Sequence, residues 1–212
     1  MSARVGFAIA RILVALLAAV AIAATLAAVA AKSPINPFNF FGYFTIQSNL
    51  LDVVVLLVGG ARLLRRTPPG TGWTVVRWAL TDFMVVVGLV YALLLAPTDA
   101  AGGVPLPWAN TVVHVVTPAF ALLDWFLAPD RLRTPLRLTW VLLLYPAVWL
   151  TVVLVRGATD GWVPYPFLDP RNGYALVAGM SALVALAFVA VGLVLRLADR
   201  VSPRGDLAPA PA

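Results

Sequence analysis

Thr45 and His114 are the two side chains whose types point most directly to chemistry. A threonine hydroxyl is unreactive until a base takes its proton, and an ordinary imidazole, with a pKa of about 6.5, suits that role. His114 is the only histidine in the chain. Both residues fall near the start of an apolar stretch, so they are expected at similar depth, Thr45 as nucleophile and His114 as general base. Gln47, Ser48, Asn49, Asn110 and Thr117 lie close by in the same stretches. They are the candidates for pocket polar groups or for donors to a tetrahedral oxyanion. The same residue types have a structural use, because Thr and His between helices bond neighbouring helices for about 0.6–2 kcal/mol. Neither a Gly-x-Ser-x-Gly elbow nor a His-Glu-x-x-His zinc motif is present.

Asp52 and Asp124 follow on the same two stretches, ~10 Å and ~15 Å further along at the helical rise. Asp82 approaches that level from the other side, giving three aspartates as possible supporting groups. Ionisable groups inside apolar spans suggest a proton or cation path. They also suit a buried cluster that ties helices together, with Arg62 and Arg77 within reach.

The elements that must position these groups are apolar. The chain has 212 residues, 62% of them hydrophobic, and a mean hydropathy of +0.95. No soluble domain of this length needs so much apolar surface, so the class expected is all-α: a polytopic membrane protein with a bundle of six transmembrane helices. The spans are expected at Gly6–Ala31, Phe41–Ala61, Trp73–Leu95, Trp108–Leu127, Leu136–Val155 and Gly173–Leu197. Each covers the roughly 20 residues that cross ~30 Å of hydrocarbon. The first run is longer than the 7–15 residues of a signal core, so it is expected to remain as a span. Residues 1–200 then form one transmembrane domain, and 201–212 a proline-rich, disordered cytoplasmic tail. The Arg204-Gly205-Asp206 tripeptide in that tail is a chance match.

On helices, Thr45, Ser48, Asn49 and Asp52 share one face, and His114, Thr117, Ala121 and Asp124 share another. Each polar stripe is expected to face protein. Twelve of the fifteen basic residues fall on the side of the N-terminus, against Lys32, Arg156 and Arg171 on the other. The positive-inside rule then places both termini in the cytoplasm of a cell whose inner (plasma) membrane holds the protein. The net charge of +6 is therefore a topology signal and a contact with anionic lipid, with no nucleic-acid partner expected. Trp73, Trp78, Trp108, Trp140 and Trp162 are expected in interfacial belts. With no cysteine, no glutamate and one histidine, no disulfide, thiol nucleophile, metal site or cofactor is expected.

Phe41-Gly42-Tyr43-Phe44-Thr45-Ile46-Gln47-Ser48-Asn49 and His114-Val115-Val116-Thr117-Pro118, running into Leu122-Leu123-Asp124-Trp125, resemble the Pr6Pr family of bacterial six-span membrane proteins. Tyr145-Pro146 and Tyr165-Pro166-Phe167-Leu168-Asp169 extend the likeness over about residues 5–198. That family is in turn distantly similar to the androgen-induced-gene family of eukaryotic intramembrane hydrolases. Those act on fatty-acid esters of hydroxy fatty acids through a threonine and a histidine, which Thr45 and His114 match. The resemblance implies an ester hydrolase with an acyl-threonine intermediate, and membrane lipids and a hydrophobic ester as partners; the aromatics and prolines of Trp162–Arg171 suggest that this segment caps the pocket. The surroundings Ile46-Gln47-Ser48-Asn49 depart from the eukaryotic pattern, which implies a different ester. The alternative is a non-enzymatic transporter or lipid- or small-molecule-binding protein that uses Asp52, Asp82 and Asp124.

Overall fold

The computed structural model describes residues 3–98, 103–197 and 199. The expected disordered tail at 201–212 lies outside the described residues. Among the described residues there is no strand, and six helices are long and apolar enough to cross a membrane. They are α1 (Ala3–Ala30), α2 (Phe44–Leu64), α3 (Thr71–Thr98), α4 (Pro107–Leu127), α5 (Leu136–Thr159) and α6 (Tyr174–Leu195). Their bounds differ from the expected ones by at most four residues. The largest functional difference is at α2. Residues Pro37–Phe40 form a separate short helix, and α2 begins only at Phe44. Thr45 is therefore in the first turn of its helix, not one turn inside it.

α1 packs chiefly along α2, α3 runs through the middle against α2, α4 and α6, and α5 packs on α6. The face α1 buries is made of small residues, with Ala8, Ala15, Ala18, Ala21 and Thr25 around Arg11. Such a stripe lets backbones approach closely where hydrophobic exclusion of water cannot drive helices together. The partner face supplies Gly60, whose missing Cβ would lie 3.1 Å from the Ala8 carbonyl oxygen.

The deepest polar contact of the bundle is a closed ring of charge. Arg11 donates to both carboxylate oxygens of Asp124 (2.8 and 3.0 Å) and to both of Asp130 (2.7 Å each). Arg77 closes the ring, at 2.7 Å from Asp124 and 2.8 Å from Asp130. All four residues are at most 5% exposed. The ring joins α1, α3, α4 and the α4–α5 connection at the end of the bundle where α1 begins. Gly59 leaves the space for the Arg11 guanidinium, with its Cβ position 3.0 Å from Nη1. Burial works to raise the Asp130 carboxyl, but Arg77 and Arg11 outweigh it and hold it below the ordinary carboxylate range.

Of the tryptophans expected in interfacial belts, Trp108 and Trp140 are exposed, but Trp78 is wholly buried. It follows Arg77 on the inward face of α3 and donates to the Gly192 carbonyl at 3.0 Å. Trp125 does the same from α4 to the Leu195 carbonyl at 2.9 Å. These two indoles fasten α6 to the centre of the bundle.

Removing one acid from the ring leaves two guanidinium groups facing a single carboxylate in a buried site. Asp130→Ala is expected to destabilise the protein by about 3–5 kcal/mol, read as a lowered midpoint of thermal unfolding in detergent. Because the Asp130 carboxyl is depressed, its contribution is complete above the ordinary carboxylate range and is lost as pH falls through its lower folded value. An unchanged midpoint for Asp130→Ala at neutral pH would show that the ring does not hold the helices.

Candidate active site

At the other end of the bundle the two polar stripes meet. Thr45, Ser48, Asn49 and Asp52 of α2 and His114, Thr117 and Asp124 of α4 are all buried. Thr45 Oγ1 lies 3.2 Å from His114 Nε2. The other ring nitrogen, Nδ1, lies 3.2 Å from the Asn110 carbonyl oxygen. A carbonyl only accepts, so Nδ1 carries the proton and Nε2 presents the lone pair of a neutral imidazole. Thr45 then donates its hydroxyl proton toward Nε2, the direction that a general base requires.

Two local departures from α-helix present this imidazole. Val112–Val116 forms a π turn around His114 immediately before Pro118, and Tyr91–Leu95 forms another just before Pro97. A proline lacks the N–H and pushes away the carbonyl four residues back, here His114 and Leu93, so the preceding turn widens. Tyr91 at the start of one π turn stacks on His114 in the other, with rings 4.3 Å apart at 15°. Asn110 Nδ2 donates to the Tyr91 hydroxyl at 2.7 Å and so fixes the stacking ring. The helices can approach because α3 carries Gly88, whose Cβ position lies 3.1 Å from Pro118 Cβ and 3.4 Å from the His114 carbonyl oxygen. The widened turn is how α4 accommodates Pro118 in its interior.

The third group at Thr45 is Tyr165, from the connection between α5 and α6. No side chain caps the start of α2, where Tyr43 is the N-cap. The Tyr165 hydroxyl takes that place, accepting from the Thr45 backbone N–H at 3.3 Å and lying 3.4 Å from Thr45 Oγ1. Its ring stacks on Phe167 at 5.4 Å and meets Tyr43 edge-on at 5.9 Å. Burial pushes the phenol up to about 12, so it stays a donor. Tyr165 was visible in the sequence only within a Tyr-Pro-Phe segment, and Tyr91 carried no signal at all, because neither lies on a polar stripe.

The remaining polar candidates have other partners. Gln47 donates to the Phe41 carbonyl and accepts from the Tyr145 hydroxyl, and Ser48 bonds back to the Phe44 carbonyl. Asn49 donates to the carbonyls of Thr45 and Val113, and its own oxygen lies 2.8 Å from Thr117 Oγ1. Asn49 and Thr117 therefore clamp α2 to α4. Asn110 holds Tyr91 with its side chain and His114 with its carbonyl. These side chains thus bond nearby carbonyls, tyrosine hydroxyls and one another, and not the Thr45 hydroxyl.

The three aspartates have different surroundings. Asp124 is closed into the ring with Arg11 and Arg77, and Asp52 sits in the electrostatic field of those three residues. Asp82 faces α6, with one carboxylate oxygen 3.5 Å from the Cβ position of Gly192 and neither oxygen hydrogen-bonded among the described residues. Arg77 reaches the ring as expected from its place in the sequence, whereas Arg62 bonds the Pro68 carbonyl and covers the Trp73 ring. Among the described residues no group of three His, Cys, Asp or Glu is gathered that could hold a metal.

Thr45 also lines a cavity of about 210 Å³ between α2, α3, α5, α6 and the Tyr165–Leu168 turn. Apart from Thr45, Tyr165 and Ser181 its walls are apolar or aromatic. Phe44 forms the wall next to Thr45 and touches Phe83, Tyr145, Trp149 and Phe188, with ring centroids 5.3–5.9 Å apart. Tyr165, Phe167 and Leu168 of the expected cap segment close one side. Thr45 thus borders an apolar cavity and reaches the imidazole with its hydroxyl. No family model, curated protein or solved structure matches this chain.

The single histidine makes its tautomer directly readable. Protein labelled with 15N-histidine is expected to show a neutral ring protonated at Nδ1, and Thr45→Val is expected to shift the Nε2 resonance by removing its donor. A ring protonated at Nε2 would contradict this arrangement.

Proposed function

We propose that this chain is an intramembrane hydrolase of hydrophobic esters, with Thr45 as nucleophile and His114 as general base. The observation that carries the reading is that one residue, Thr45, both lines an apolar cavity and bonds the lone pair of His114 through its hydroxyl. His114 Nε2 takes the hydroxyl proton as Thr45 Oγ1 attacks the ester carbonyl carbon. The tetrahedral intermediate collapses, the C–O bond to the alcohol breaks, and the imidazolium returns its proton to the leaving oxygen. Water, deprotonated by the same nitrogen, then attacks the acyl-threonine, and the acid leaves with Thr45 regenerated. We assign the developing oxyanion to Tyr165 and the first-turn N–H groups of α2, the donors closest to the nucleophile.

Among the described residues no carboxylate backs the imidazole. Its charged form is met by the Asn110 carbonyl dipole and by the face of Tyr91, a weaker arrangement than an acid–base–nucleophile triad. Slow turnover follows. The resemblance to the Pr6Pr family, and through it to the androgen-induced-gene hydrolases, agrees with these roles. The apolar exterior and the basic residues on the side of the termini support placement in the plasma membrane with both termini cytoplasmic. A transport path along the aspartates has less support, because Asp124 is neutralised by two arginines and Asp82 faces a different helix.

In detergent, wild-type protein is expected to be labelled by a fluorophosphonate probe, and Thr45→Ala to lose both labelling and hydrolysis of p-nitrophenyl esters. His114→Ala is expected to lower kcat by about 10²–10⁴-fold. Tyr165→Phe, which keeps the ring stack, is expected to lower kcat by about 10²–10³-fold with little change in KM. Full activity of folded Thr45→Ala would end this proposal.

A further inference from the structure

A second apolar hollow, of about 360 Å³, lies on the outside of the bundle between α5 and α6, beneath the connection that carries Tyr165. It is bordered by small residues, Gly157 and Ala158 on α5 and Ala178 and Ser181 on α6, and no charged side chain lines it. Ala158, Ala178 and Tyr174 at its edge are exposed, so the hollow opens outward. Its inner wall is shared with the cavity at Thr45: Leu150, Leu168 and Ser181 line both.

We propose that this groove is the entry passage for the substrate, holding one uncharged acyl chain of the ester, with Leu150, Leu168 and Ser181 as the gate to Thr45. The assignment rests on the hydrolase reading for what the chain is attached to, and on the wall that the two spaces share for where it travels. Charge excludes the alternatives in chemical terms, since a phosphate or carboxylate in the groove would meet no cation. The helices around it are also the ones best able to part. The most apolar stretches of α5 and α6 are each only 17% buried inside the bundle, against 50% for α2 and α3.

Ser181 fits the passage. Elsewhere in the chain Thr25, Ser48, Thr151 and Thr159 bond back to the carbonyl four residues earlier. Ser181 does not, and its buried hydroxyl has no hydrogen-bond partner among the described residues. A hydroxyl held unpaired at the gate is placed to bond the ester oxygens as they leave lipid for the cavity, easing a step in which they would otherwise have no partner.

The absence of cysteine allows a reversible test. In Ala178→Cys the only thiol lies in the groove, and benzyl methanethiosulfonate fills it. In Leu186→Cys the same adduct sits on an outward face of α6 that borders neither space. Purified protein is photocrosslinked to a p-nitrophenyl fatty ester bearing a diazirine on its chain. We expect adducts in the α5 and α6 segments around residues 150–158 and 174–181. They should be lost, together with hydrolysis of the long ester, when Cys modification fills the groove at 178, and restored by reductant. The adduct at 186 should change neither. Crosslinks elsewhere, or crosslinks that persist with the groove filled, overturn the passage. Blockable crosslinks without any turnover of the ester would leave the passage standing and remove the hydrolase reading instead.

Discussion

The ring of Arg11, Arg77, Asp124 and Asp130 is the constraint on which the rest of the structure depends. In the bilayer where we place this chain, apolar side chains gain little by leaving lipid for one another, so greasy surface alone does not choose helix partners. Two guanidinium groups and two carboxylates away from water do choose, because each is costly unless it finds its complement. Each arginine contacts both acids, so displacing any one element exposes charge from the others. The relative positions of α1, α3 and α4 are set at one end, and α2 follows through its close approach to α1. The site at the far end inherits that register.

The site itself is built from interruptions of regular helix. Pro97 and Pro118 widen the turns that hold Tyr91 and His114, and the break at Gly42 starts α2 late enough for Thr45 to lie in its first turn. A continuous helix from Phe41 would place Thr45 one turn deeper, past the free N–H groups that Tyr165 now meets. The interruptions of regular helix and the candidate site thus fall on the same residues. The loop after α5 does three things at once: it caps α2, walls the cavity and roofs the groove.

A neutral histidine backed by a carbonyl suits this setting. A buried carboxylate behind the imidazole would need its own partners, and the ring shows what those partners amount to: two arginines for two acids. The carbonyl of Asn110 already belongs to the helix and orients the ring without adding charge. On the proposed hydrolase reading this backing is weaker than a carboxylate's, and the low dielectric around it strengthens each dipole that remains.

Six helices, their order and their inward faces could be read from the chain, because apolar length and helical spacing are local properties and the lone His114 and Thr45 stood out against hydrocarbon. The resemblance carried by the segments around those residues made the same pair legible as chemistry. Other features depended on three-dimensional neighbours. Asp124 read as a companion of Asp52 and Asp82, but its partners are Arg11, 113 residues before it, and Arg77, 47 residues before it. Gln47, Ser48, Asn49 and Asn110 had the right atoms for an oxyanion site, yet hydrogen bonds between helices and to nearby carbonyls took them. Trp78 looked interfacial by position and is wholly inside, because its face of α3 turns toward α6. Tyr165 lies 120 residues from Thr45, and only the folded connection brings its hydroxyl there. Composition and period decide which faces turn inward. Which inward polar group meets which is decided by packing, since every such group must find a partner and several would serve for each.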